Sequence, residues 1–138
     1  MSKLKNYKQL LFTLSLFVII SCKETSENSK AVRLEVVATA YNSIESQTKK
    51  NNPSLGAWGD VLQPGERAIA VSRDLIKLGL IHNTEVKIEG LPGVYLVKDK
   101  MNKRWTKKID IYMGLDEKAA NEWGKQKVFI TFNQKDKP

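Results

Sequence analysis

The chain has 138 residues, 41% of them hydrophobic and 28% charged, with a formal net charge of +8. That length suits one small domain with a single core, and no second domain is needed. One cysteine excludes an internal disulfide, and one histidine with no cysteine near it argues against a zinc-type metal site.

Residues 1–21 read as an export signal. Lys3, Lys5 and Lys8 precede the apolar run Leu10–Ile20, which is shorter than the roughly 20 residues a membrane span needs. The lone Cys22 closes this run as Ile19-Ile20-Ser21-Cys22, which resembles a bacterial lipobox; the alternative is a plain signal peptide with an incidental cysteine. The resemblance implies a diacylated Cys22 as the mature N-terminus, anchored because each buried CH₂ contributes about 0.8 kcal/mol. Cys22-Lys23-Glu24 also resembles the short signal that sends some Bacteroidetes lipoproteins to the cell surface. The polar stretch to residue 31 reads as a flexible tether, and the domain is expected from residue 32 to 138. Loss of the three signal lysines leaves 20 basic residues against 15 acids, a mature charge of +5. Such a surface attracts anionic envelope polymers or serves solubility alone; in an exported lipoprotein it does not point to nucleic acid.

Beyond the tether the chain reads as short strands. Arg33–Asn42 is the first, with Leu34, Val36, Ala38 and Ala40 on one face and Val37, Thr39 and Tyr41 on the other. Ser43–Glu66 is a long polar loop with turn signals at Asn51-Asn52-Pro53 and Gln63-Pro64-Gly65. A loop of that length in a compact domain is often functional. Arg67–Ser72 is a second strand, and Asp74–Leu80 holds one helical turn. Thr84–Glu89, Gly93–Asp99 and Lys107–Met113 are the third to fifth strands. Asp116–Trp123 fits a short helix with Asp116 as N-cap and Gly124 just past its end. Lys127–Asn133 is the sixth strand. Six short strands with one or two brief helices predict an all-β fold, a small closed barrel.

Two carboxylates stand out. Asp99 and Asp110 lie eleven residues apart, each against an apolar strand-like run. Partial burial raises a carboxyl pKa and a second carboxylate raises it further, so such a pair can hold a proton near neutral pH, as glycosidic-bond chemistry requires. By alternation Asp110 shares a face with Lys108 and Tyr112, so if Ile109 and Ile111 face the core, Asp110 faces a groove or solvent. The blander reading is an exposed strand acid paired with Lys108 or Arg104. Asp99 is a site residue or a turn former after its strand. Asn102 is placed to hold Asp99 by hydrogen bonding. Arg104 and Lys107 are candidates to bind a carboxylate, or are simply solvated. Trp58 and Trp105, in loop-like segments, either stack on sugar faces or cover the core.

The ordered series Thr39-Ala40-Tyr41, Ala68-Ile69-Ala70-Val71-Ser72, Leu75-Ile76-Lys77-Leu78-Gly79, Val86-Lys87-Ile88-Glu89-Gly90, Asp99, Ile109-Asp110-Ile111-Tyr112, Ala119-Ala120 and Trp123-Gly124 resembles the 3D domain, named for three aspartates. That domain is a six-stranded double-psi β-barrel shared with the MltA-type lytic transglycosylases and the stationary-phase-survival proteins. The likeness runs from about Val36 to Phe132. It implies cleavage of peptidoglycan glycan strands between MurNAc and GlcNAc with a 1,6-anhydro product. Asp110 would be the catalytic acid, with Asp99 beside it. Thr39 and Tyr41 would border the groove, or else pack the barrel; Asn102, Arg104, Trp105 and Trp58 join them as substrate-binding candidates on their own chemistry. The alternative is a non-catalytic glycan-binding or structural lipoprotein. The chain departs from the family in having Lys100-Met101-Asn102 where Thr-Gly-Gly follows the family's Asp, and Ser72 where its first aspartate stands. No metal and no cofactor are expected. A monomer is, anchored through Cys22 to the bacterial envelope at the outer membrane.

Overall fold

A computed structural model describes residues 29–44 and 52–135. The signal, Cys22, most of the tether and residues 45–51 lie outside the described residues. The chain forms β1 (Ser29–Tyr41), β2 (Ala68–Val71), α1 (Arg73–Lys77), β3 (Glu85–Ile88), β4 (Tyr95–Lys100), β5 (Lys108–Tyr112), α2 (Glu117–Trp123) and β6 (Gln126–Lys135). The six strands close into a mixed barrel in the order β1-β5-β2-β4-β3-β6. The all-β barrel expected from the strand count is what the chain adopts. Two pairs are parallel, β1 with β5 and β2 with β4, and the other four are antiparallel.

Every strand sends alternating apolar side chains inward. Val36 and Ala38, Ile69 and Val71, Val86 and Ile88, Tyr95 and Val97, Ile109 and Ile111, and Val128, Ile130 and Phe132 form one core, joined by Leu75 of α1 and by Leu80. Each large aliphatic side chain in this set contributes roughly 1.5–3 kcal/mol through burial. Asp116 caps α2 as the sequence predicts: its Oδ1 accepts from the Ala119 N–H at 2.9 Å, and Gly124 ends the helix with φ 62°. Among the described residues no helix is long and apolar enough to cross a membrane.

One expectation needs correction. The tether was expected to reach residue 31, yet β1 begins at Ser29, because Ser29 to Ala31 pair with Lys135 to Asn133 of β6. The described part of the long polar loop holds no named strand or helix, as expected, and is braced by its own hydrogen bonds. Leu55 bridges Val61, the Gly56 N–H reaches the Asp60 carbonyl at 2.8 Å and the Leu62 N–H reaches Ser54 at 2.9 Å, which makes a miniature hairpin. Leu62 fastens it to the barrel's outer face, buried with Ala68 and Tyr112 and backed by Tyr41.

Candidate functional site

The site is a row of four residues crossing the outer face of four strands. Thr39 of β1 is in register with Asp110 of β5, Asp110 with Ala70 of β2, and Ala70 with Asp99 of β4. Neighbouring strands lie roughly 4.8 Å apart, so the backbones bearing the two acids are separated by about two such spacings, on the order of 10 Å. In the register Ala70, whose side chain is a single methyl group, stands between them, and Tyr41 lines the same groove as these three residues.

Asp110 reaches this face by plain alternation. Ile109 and Ile111 are fully buried in the core, and the acid between them points outward. Asp99 does not reach it that way. In an unbroken strand it would share the inward face with Tyr95 and Val97. Between Val97, paired with Ile69, and Asp99, paired with Ala70, β4 carries one extra residue, Lys98. This β-bulge shifts the parity of the strand and turns Asp99 out beside Asp110, a use of bulges that recurs next to functional sites.

Both acids line one open groove of about 570 Å³ with Tyr41, Ala70, Arg73, Lys100, Met101, Asn102 and Trp105. Residues Pro53 to Ala57 and Leu62 of the miniature hairpin form its opposite wall. Gly56 makes that approach possible, since a Cβ there would lie 2.5 Å from the Lys98 carbonyl oxygen at the bulge. The adjoining Ala57 N–H then donates to Asp99 Oδ1 at 2.6 Å, and the same oxygen accepts from the Lys100 N–H at 2.8 Å.

The two carboxylates differ in surroundings. Burial pushes the Asp110 carboxyl above its ordinary range; the Thr39 hydroxyl and the Lys108 ammonium work against that shift, and the Asp99 charge adds to it. The Thr39 hydroxyl donates to Asp110 Oδ1 at 2.8 Å. Asp99 is instead tied through backbone N–H groups to the hairpin. Burial raises the Tyr41 phenol as well, helped by the charges of Asp99 and Asp110, so it stays protonated.

The remaining sequence candidates divide. Thr39, Tyr41, Asn102 and Trp105 come together at the groove or on its acid row. Asn102 does not hold Asp99: its Oδ1 accepts from the Arg104 N–H at 3.1 Å, closing a local turn. That turn carries Arg104 outward, where its guanidinium lies 5.0 Å from the Trp105 ring centre and outside the groove lining. Trp58 also lies outside that lining. It stacks on His82 at 5.3 Å and packs against the core, because Asp60 next to the hairpin tip is held by Lys98 at 2.9 Å and His82 at 2.6 Å. The Lys98 ammonium is the chief cause holding the Asp60 carboxyl below its usual range; burial opposes it and His82 assists.

Ser72 and Asp74, at the end of β2 and the start of α1, have a structural task. Ser72 is fully buried and its Oγ accepts from the Lys108 N–H at 3.0 Å, while Asp74 Oδ2 accepts from the Lys107 N–H at 2.8 Å. Together they splice the end of β2 to the start of β5 and hold the left-handed Lys107, at φ 44°. Sequence reading missed Ala70, Arg73, Lys100 and Met101 as groove residues, and with them the hairpin wall from Pro53 to Ala57 and Leu62. For Arg73, a cation directly after the second strand was the available signal. Among the described residues no three His, Cys, Asp or Glu side chains gather to hold a metal ion.

Comparison of the chain with protein families finds no family model that matches it, and comparison with curated proteins finds no match.

Proposed function

We propose that this chain is a lipid-anchored envelope protein that cleaves peptidoglycan glycan strands as a lytic transglycosylase. The observation that carries the reading is Asp110, a half-buried carboxyl with a raised pKa, hydrogen-bonded by Thr39 at the floor of an open groove. In the proposed reaction the Asp110 carboxyl protonates the glycosidic oxygen between MurNAc and GlcNAc, and the bond to the anomeric carbon breaks. The C6 hydroxyl of the same MurNAc then attacks that carbon, and the Asp110 carboxylate takes the hydroxyl proton. The product is a 1,6-anhydro ring, water is not consumed, and the acid is restored. Asp99 favours the protonated form of Asp110 through its charge and fixes the hairpin wall. Trp105, 38% exposed and lining the groove, is the aromatic side chain placed to meet a sugar ring, with the Lys108 ammonium 3.9 Å from its ring centre. The double-psi barrel kinship and the anchor at Cys22 belong to the same proposal, supported by the order of motifs and by the lipobox-like segment.

A second reading, glycan binding without cleavage, draws support from Asp99. One of its oxygens is engaged by two backbone N–H groups, so it serves as a clamp as much as a second acid. One assay divides the two. The full-length chain, purified in detergent, is incubated with peptidoglycan and the soluble fraction is searched by mass spectrometry for 1,6-anhydro muropeptides. Cleavage predicts their release by the unmodified chain and its loss in Asp110→Asn. Sedimentation with the polymer but no release from either protein favours binding. Equal release from both proteins removes Asp110 from the chemistry.

A further inference from the structure

The two ends of the barrel differ in charge. β2 and β4 finish, and β5 starts, at the same end, because β2 and β4 are parallel and β5 runs against β2. There α1 with the turn behind it (73–81) and the connection 101–108 hold six basic residues against one acid, Asp74, a net +5. At the other end the β3–β4 turn (89–94) and residues 113–125 hold four acids against two bases, a net −2. Among the described residues no carboxylate comes within 4.0 Å of the charged groups of those six cations. The cationic end also shows apolar surface: Leu78 and Ile81, in the turn behind α1, are 45% and 53% exposed.

Contacts join these residues into one face. Asp74 Oδ2 accepts from the Lys107 N–H at 2.8 Å, and Lys77 and Leu78 follow Asp74 by three and four residues, one helical turn on. The turn holding Leu78 and Ile81 is closed by Thr84, whose hydroxyl donates to the Gly79 carbonyl at 3.2 Å and whose N–H donates to that of Ile81 at 3.0 Å. On the connection, Lys108 and Arg104 lie 3.9 and 5.0 Å from the ring centre of Trp105, which marks the border between this face and the groove. The start of β1 lies here as well. A Cβ on Gly79 would lie 3.2 Å from Gln134 Cγ, and the next residue of β6, Lys135, pairs with Ser29. Only six residues, 23–28, separate Ser29 from Cys22, a reach of at most about 20 Å.

We propose that this end of the barrel is a docking face for an anionic phospholipid surface, with Lys77, Lys103, Arg104 and Lys107 against the phosphate headgroups and Leu78 and Ile81 at the acyl boundary. Cations flanking exposed apolar side chains suit a bilayer interface, where surface charge draws the first and the hydrocarbon edge takes the second. A free polyanion would satisfy the cations but leave Leu78 and Ile81 in water. The anchor at Cys22, proposed above, would hold the bilayer within six residues of this end. The face goes beyond the glycan reading and does not depend on it. Once docked, the barrel carries its acid row close to the lipid surface, since Asp110 lies two residues past Lys108 along β5, roughly 7 Å from the face.

The test is co-sedimentation with lipid vesicles. It uses the chain from Lys23 onward, which keeps every strand and helix of the barrel and carries no acyl group, so binding reports the face and not the anchor. Vesicles of phosphatidylcholine alone are compared with vesicles that also contain phosphatidylglycerol. Binding to the anionic vesicles is expected to be at least about tenfold tighter and to weaken as salt rises. Lys77→Gln and Lys103→Gln, each melting like the unmodified chain, should each lower it about fivefold, the effect of one cation near a charged surface. Ile81→Ser should lower it severalfold with the salt dependence kept. Lys118→Gln, in α2 beyond the far end of β5, makes the same charge change and should leave it intact. Equal binding to both kinds of vesicle, binding to neither, or a preference that survives both lysine substitutions overturns the face. Unchanged binding by Ile81→Ser, with soluble polyphosphate displacing the chain from the vesicles, assigns a free polyanion instead and overturns the lipid surface as the partner.

Discussion

Replacing Gly56 with alanine presses directly on the contact that builds the groove. Gly56 is not in a left-handed conformation, so its need for glycine is one of space. The added Cβ would lie 2.5 Å from the Lys98 carbonyl oxygen and 3.5 Å from that of Asp60, where ordinary contact begins at 3.4 Å. One of the two backbones must therefore yield by 0.9 Å. The obstructing atom belongs to a bulged strand already held on both sides, so the hairpin is the part that moves. Overpacking of this kind costs roughly 1–3 kcal/mol. Lifting the hairpin also stretches the 2.6 Å bond from the Ala57 N–H to Asp99. For a domain of this size each kcal/mol lowers the melting temperature by about 4–8 °C. Gly56→Ala should accordingly melt roughly 5–15 °C lower, scaling those two ranges conservatively. Amide exchange should quicken at Ala57 and Leu62 while the core strands stay protected. Gly90→Ala provides the control, since its added Cβ meets nothing within 4 Å and only the positive φ of 85° is strained. An unchanged melting temperature with unchanged Ala57 protection would show that the hairpin does not rest on the bulge, and the groove's second wall would be lost from the argument.

The acid row makes its own predictions. Because the folded state raises the Asp110 pKa, it binds that proton more tightly than the unfolded chain, so stability falls as pH rises from the unfolded value of about 3.9 through the folded one. Asp110→Asn should thus melt higher than the unmodified chain at pH 7, with the gain vanishing below about pH 3.9; a lower melting temperature at pH 7 counts against a destabilised carboxylate. Thr39→Val removes the hydroxyl that supports the charged form, and carboxyl carbon NMR should show Asp110 titrating still higher; an unmoved titration would mean that the 2.8 Å bond carries little. Asp60→Asn weakens the tie to Lys98 and His82, and tryptophan fluorescence should report Trp58 leaving its stack while barrel circular dichroism is kept. Asp116→Ala removes the α2 cap at a cost of about 1 kcal/mol, read as a modest fall in melting temperature with no effect on glycan binding.

The elements were legible because their chemistry is local. Val128, Ile130 and Phe132 alternate on β6, the Asp116 cap and Gly124 bracket α2, and each observed boundary in the middle of the chain falls close to its turn residues. The start of β1 was not legible, since Ser29 and Lys30 are polar and exposed and are strand only through their partners on β6. The order of strands was equally hidden from periodicity. Only β3 and β4 are neighbours both in sequence and in the barrel, and the remaining pairings join segments whose affinity for each other leaves no local trace.

The site divides in the same way, and the division bears on its chemistry. Asp110 could be aimed from sequence because its strand is regular, with isoleucines on either side. Asp99 could not, because strict alternation sends it into the core with Val97. A bare carboxylate among the core's Val, Ile and Leu side chains would be strongly destabilising, and that penalty opposes a regular β4. One extra residue removes the conflict: the bulge at Lys98 turns Asp99 out, leaves a carbonyl that only glycine can approach, and sends the Lys98 ammonium to Asp60 at the hairpin tip. Three consequences of a single inserted residue thus assemble one wall of the groove and set its second acid across Ala70 from the first. The eleven-residue spacing marks the acids as a candidate pair, but it is the broken parity of β4 that puts them on one face.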